Sequence, residues 1–173
     1  PGVPINEARR PKLEAGGKEL DCTGMYMMPG FVDMHGHIGG GQAPIAEYVF
    51  KLWMAHGITT IREPSAGNGL DWVLDQKAKS AQNKITAPRI YAYTAFGMGA
   101  KEPIVTADQA RAWVIENKNK GADGIKFFGA SPEVMDAAIR KNKELGLRSC
   151  THHAQMTVAQ WNVLNSARAG LTS

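Results

Sequence analysis

From Phe31 onward the chain alternates short apolar runs with amphipathic, helix-like segments, and this alternation restricts its fold more than any other feature. Strand-like runs occupy Phe31–His35, Ile58–Arg62, Arg89–Thr94, Gly124–Phe128 and Leu147–His153, and a sixth begins at Leu171–Ser173. Between them, Ile45–His56 carries an apolar stripe of Ile45, Tyr48, Val49 and Leu52 and stops at Gly57. Asp71–Ala81 offers Trp72 and Leu74 for burial. Thr106 with Gln109 fits a capping box, opening a helix to about Lys120 that ends at Gly121. Ser131-Pro132 reads as an N-cap followed by proline at the first helical position, with that helix ending at Gly146. Val158–Ala169 is the last helical stretch.

Strands separated by crossover helices of this length pair in parallel, and the spacing, roughly 23 to 35 residues, is that of a βαβ unit. A closed (β/α)8 barrel takes about 250 residues and eight such units. The 173 residues here supply five and the start of a sixth. The expected fold is therefore α/β: a partial (β/α)8 TIM barrel of about the first five βα units. Such an open piece leaves two sheet edges unpaired, so alone it is expected to be unstable or to aggregate.

The first strand runs into Met28-Pro29-Gly30-Phe31-Val32-Asp33-Met34-His35-Gly36-His37. On an extended segment, residues 35 and 37 project from one face. Two imidazoles so placed either satisfy local hydrogen bonds or form half of a site for Zn²⁺ or a neighbouring first-row metal. The whole run resembles the first-strand signature of the amidohydrolase superfamily, Pro-Gly-Phe-x-Asp-x-His-x-His, and that resemblance makes His35 and His37 ligands of a catalytic metal.

Lys126 sits mid-strand among Ile125, Phe127 and Phe128. Burying an unpaired ammonium costs several kcal/mol, so it either snorkels outward or is paired or modified. Ala122-Asp123-Gly124-Ile125-Lys126-Phe127 resembles the fourth-strand segment of the prolidase- and imidazolonepropionase-like amidohydrolases. In binuclear members such a lysine is carboxylated to a carbamate that bridges two metals. His152-His153 ends the fifth strand, where only one neighbour can point inward. The family's His-Ala pair matches His153-Ala154, which implies His153 as a further ligand and His152 as a rim or core histidine. Gln155 stands where many relatives carry another His.

The N-terminal stretch from Gly17 to Met28 resembles the family's lead-in to the barrel. The implied organisation is a remnant of a small β-sandwich domain over residues 1–28 and the N-terminal part of the barrel over 29–173. The resemblance implies a hydrolase of carbon–nitrogen bonds, acting on a peptide-like or cyclic amide through a metal-activated hydroxide at a binuclear centre. The expected ligands are His35, His37, Lys126 and His153, holding two divalent metal ions, zinc first among them. The family's strand-six His and strand-eight Asp have no counterpart in this sequence, so the site these residues encode is incomplete. The alternatives are a mononuclear deaminase of the same superfamily, generally without the bridging lysine, or a non-catalytic barrel scaffold.

Other features exclude more than they assign. Net charge is +4, spread among mixed charges, and Lys118-Asn119-Lys120 lacks interleaved aromatics, which argues against nucleic-acid binding. No apolar run approaches the ~18 residues of a membrane span. The partner expected is a small-molecule or dipeptide-like substrate, with a homo-oligomer conceivable for the full-length protein, soluble in cytoplasm or periplasm. Cys22 and Cys150 are too few for a disulfide scaffold. His56 suits a helix C-terminus, Arg62 reaches the barrel mouth or pairs with Glu63, and Tyr93 is a pocket candidate. Gly39-Gly40-Gly41 matches no phosphate-loop spacing and reads as a loop over the pocket.

Overall fold

The computed structural model describes residues 12–39, 43–153 and 159–173. Five strands, β1 (Phe31–Asp33), β2 (Ile58–Glu63), β3 (Arg89–Ala95), β4 (Gly124–Phe127) and β5 (Arg148–Thr151), pair in sequence order. Every pairing is parallel. Crossovers run through α1 (Ala43–Ala55), α2 (Leu70–Ala81), α3 (Ala107–Lys120) and α4 (Pro132–Glu144), and α5 (Val163–Ala169) follows β5. The sheet curls into half of a barrel with its helices outside, as the strand–helix alternation predicts.

Strand parity divides the sheet into two surfaces. Ile61, Ile90, Ile125, Phe127 and Leu147 join apolar clusters under the helices. One cluster holds Phe50, Leu70 and Val73 from α1 and α2; the other holds Trp113, Val114, Val134, Met135 and Ile139 from α3 and α4. Fully burying a side chain of this size contributes roughly 1.5–3 kcal/mol, so these layers fix the sheet's curvature. The alternate residues, Arg62, Tyr93, Lys126 and Cys150, face the concave side, the interior of a closed barrel.

Helix ends follow the sequence closely in α3. Thr106 Oγ1 accepts from the Gln109 N–H at 3.2 Å, and Gln109 Oε1 accepts from the Thr106 N–H at 3.0 Å. Gly121 then closes the helix at φ 105°, a left-handed conformation that glycine adopts without a Cβ clash. Asn162 builds a second capping box, with Asn165, at the start of α5. Ser131 precedes α4 with Pro132 in the first turn, but its side chain makes no cap hydrogen bond.

Several expected details differ. α1 buries Ala46 and Phe50, while Tyr48 and Leu52 are exposed; the helix is apolar around most of its surface, so the stripe did not identify the core face. The side chain of Ile45 lies outside those described. α2 buries Leu70 and Val73, with Trp72 and Leu74 only packed at the margin. α5 begins at Val163, and Val158 lies outside the described residues. Leu171–Ser173 forms no strand, yet it docks on β5: Thr172 Oγ1 donates to the Ser149 carbonyl at 2.7 Å and accepts from the Ser149 N–H at 2.7 Å.

Residues 12–30 contain turns but no helix or strand, and Met25, Tyr26, Met27 and Met28 are exposed. Residues 1–11, Gly40 and Gly41 of the glycine loop, and Ala154 and Gln155 lie outside the described residues. No described helix is long and apolar enough to cross a membrane.

Candidate metal centre

The His35–His37 pair sits beyond the strand that was expected to carry it. β1 ends at Asp33, and Met34 and His35 form a turn. Asp33 Oδ1 accepts from the His35 N–H at 2.9 Å, and the Gly36 N–H donates to the Arg62 carbonyl at 3.0 Å. These bonds tie the turn to the C-terminal end of β2. The two imidazoles meet edge to face, with centroids 5.2 Å apart. Gly36 lies so close to α1 that a Cβ there would stand 2.8 Å from Trp53 Cζ2.

Glu63 is the functional neighbour that sequence reading assigned differently. It was considered a partner for Arg62, but adjacent residues on a strand point to opposite faces. Its carboxylate, on a residue only 2 % exposed, lies 3.2 Å from His37 Nδ1. It also accepts from the Ile38 N–H at 2.7 Å and the Ser65 N–H at 3.1 Å. Arg62 turns to the concave side, where Nε donates to the Met34 carbonyl at 2.6 Å and Nη1 to Ser173 Oγ at 2.9 Å. Its guanidinium lies 5.4 Å from the centroid of the buried Tyr93 ring. The one feature that could have flagged Glu63 is a glutamate closing a β-branched strand two residues before a serine.

Lys126 faces inward and is 2 % exposed, resolving its two sequence readings in favour of burial. Its register partner on β5 is Cys150. Among the described residues no carboxylate pairs with its ammonium, and Nζ lies 5.5 Å from the Phe128 ring centroid. Burial is the main cause holding this lysine below its ordinary pKa; Cys150 opposes the shift and Arg62 adds to it. His35 is also held below the usual imidazole value, first by desolvation and then by Lys126, His37, His152 and Arg62.

On the fifth strand it is His152, and not the expected His153, that turns to the concave face. Since Cys150 shares the concave face with Lys126, parity sends His152 to that side and His153 toward the helices. His152 N–H extends the ladder to the Phe127 carbonyl at 3.0 Å. Its ring stacks on His35 with centroids 5.6 Å apart. His153 Nε2 lies 2.9 Å from Ser166 Oγ, the atom that also accepts the Trp161 indole N–H at 2.7 Å. The match to a His-Ala pair carries no information about strand parity, which is why it selected His153. His56 caps α1, its Nδ1 2.8 Å from the Leu52 carbonyl.

The imidazoles of His35, His37 and His152 and the Lys126 amine offer nitrogen donors of the kind first-row metals accept. Among the described residues, no three His, Cys, Asp or Glu side chains are gathered closely enough to hold a metal ion as they stand. The donor types suit such an ion.

The parallel half-barrel and the sequence that forms it are similar to known deaminases and to a prolidase-like structure. No family model matches the sequence. The chain is 34 % identical over 104 residues to an adenine deaminase of Methanoculleus marisnigri, covering 56 % of this chain and 20 % of that protein. It is also 34 % identical over 73 residues to an adenine deaminase of Bacillus pumilus, covering 38 % of this chain and 12 % of the relative. The chain thus spans a fifth or less of these curated relatives. In fold it is similar to a candidate prolidase from Bifidobacterium longum, with TM-score 0.64 and 24 % identity over 83 % of this chain and 39 % of that one. The carboxyl transferase domain of Rhizobium etli pyruvate carboxylase shares the fold at TM-score 0.50 and 17 % identity, over 81 % of this chain and 25 % of that one.

Proposed function

We propose that the protein belongs to a metal-dependent hydrolase of carbon–nitrogen bonds, with residues 29–173 forming the N-terminal part of its barrel and 1–28 the lead-in from a small β-sandwich. The observation that carries this reading is Lys126: a lysine buried on the concave face, near His35 and without a carboxylate partner among the described residues. His35 and His37 would hold one divalent cation, and His152, in place of His153, a second. Bound cations of this kind acidify a water toward a pKa of about 7 and polarise the bond under attack.

Burial favours the neutral amine of Lys126, whose nitrogen lone pair can attack CO₂. The N–C bond would form as one C=O π bond of CO₂ opens onto oxygen and the nitrogen's proton passes to water, and the resulting carbamate would offer anionic oxygens as metal ligands. The same desolvated setting keeps competing solvent from the amine. Arg62 holds the Met34 carbonyl and so fixes the turn from which His35 projects.

A second reading has a specific observation behind it: the identity to adenine deaminases favours loss of an amino group from a heterocycle over cleavage of a peptide-like amide. Both reactions break a C–N bond at a metal centre. Metal content and substrate separate them. The full-length protein is expected to bind two divalent cations and the Lys126→Ala variant fewer. Full activity of that variant with one cation would overturn the binuclear reading. Ammonia release from adenine without hydrolysis of dipeptides would select the deaminase.

A further inference from the structure

The buried carboxylate behind His37 has no role in the reading above. We propose that Glu63 is a positioning residue for the metal centre: it fixes the His37 tautomer so that Nε2 faces the cation. This rests on the metal-site reading just given.

The inference follows from donor and acceptor counts. Glu63 closes β2 at 2 % exposure, where an uncompensated carboxylate costs several kcal/mol. Two backbone N–H groups, of Ile38 at 2.7 Å and Ser65 at 3.1 Å, approach its two oxygens. Oε1 also lies 3.2 Å from His37 Nδ1 and accepts from Ser65 Oγ at 3.5 Å, a hydroxyl itself 3.5 Å from His37 Nδ1. An ionised carboxylate only accepts, so Nδ1 must carry the proton and Nε2 the lone pair. The Ile38 contact is equally directed, because it anchors the backbone immediately after His37. A carboxylate gripping both the ring and the next peptide leaves the imidazole little freedom to turn. Partners of this kind usually change metal affinity 10–100-fold when removed.

The test uses the full-length protein and zinc, with affinity measured by chelator competition. Glu63→Gln keeps the side chain's size but replaces one acceptor oxygen with a donor. It is expected to weaken zinc binding 10–100-fold, and to add nothing further in a His37→Ala background. Equal zinc affinity in Glu63→Gln and the parent would overturn the proposal, as would an equal loss in both backgrounds. Nitrogen chemical shifts of the metal-free parent supply a readout that needs no variant: His37 protonated at Nδ1 supports the proposal, and protonation at Nε2 overturns it. A parent that takes up no divalent cation would overturn the metal centre itself. A parent that binds zinc as tightly as Glu63→Gln would overturn only the role of Glu63.

Discussion

His152 stacks on His35 with ring planes 28° from parallel, so the fifth strand meets the first-strand turn directly across the concave face. His153, its sequence neighbour, belongs to a different environment, bonded to Ser166 beneath α5. The two histidines should therefore separate in experiment. His152→Ala is expected to weaken divalent-cation uptake with little effect on melting of the metal-free protein. His153→Ala should leave uptake unchanged and cost about 1–3 kcal/mol of stability, because buried Ser166 loses a partner. Metal titration and thermal melting of both variants check this.

Gly36→Ala should damage the centre without touching a proposed ligand. The new Cβ would lie 2.8 Å from Trp53 Cζ2 and 3.2 Å from Asp33 Oδ2. Either α1 or the turn must yield, and the turn is the softer of the two. Overpacking of this kind costs roughly 1–3 kcal/mol. Displacement of both imidazoles should lower zinc affinity more than a Trp53→Phe change, as chelator competition would show.

Much of the architecture could be read directly from residues 31–173, because parallel strands and crossover helices impose two different periods on the apolar residues. Thr106, Gln109 and Gly121 gave the limits of α3 through short-range chemistry alone. Glu63 was not legible in its role, since its bond to His37 spans 26 residues and leaves no local pattern. The choice between His152 and His153 was obscured by the strand itself. Ser149 and Thr151 are polar on the helix side, while Cys150, a small hydrophobe, faces inward, so polarity along β5 reverses the usual cue.

Cys150 should resist alkylation. Burial raises its thiol pKa, with Arg62 and Lys126 opposing the shift, so at pH 8 it carries less thiolate than an ordinary cysteine. Iodoacetamide is expected to label the more accessible Cys22 first, and Cys150 mainly after unfolding, as peptide mass spectrometry would reveal. The sign for stability follows. The folded state retains this proton above the ordinary thiol pKa while the unfolded state releases it, so this contribution declines as pH rises through about 9.

Thr106→Ala provides a control remote from the centre. It removes the Oγ1 acceptor from the Gln109 N–H. A loss of about 1 kcal/mol is expected for an N-cap of this type. Metal binding should not change, and denaturant unfolding together with zinc titration would establish both points.

The crowding around Gly124 has a consequence for the whole centre. A side chain there would collide with the Tyr93 ring and with the Arg148 carbonyl, leaving no tolerance for a one-residue slip of β4. Such a slip would turn Lys126 into the oily layer under the helices and thrust Phe127 toward the histidines. The smallest residue in the strand thus acts as its registration pin, locking the Lys126 amine on the concave side of the wall.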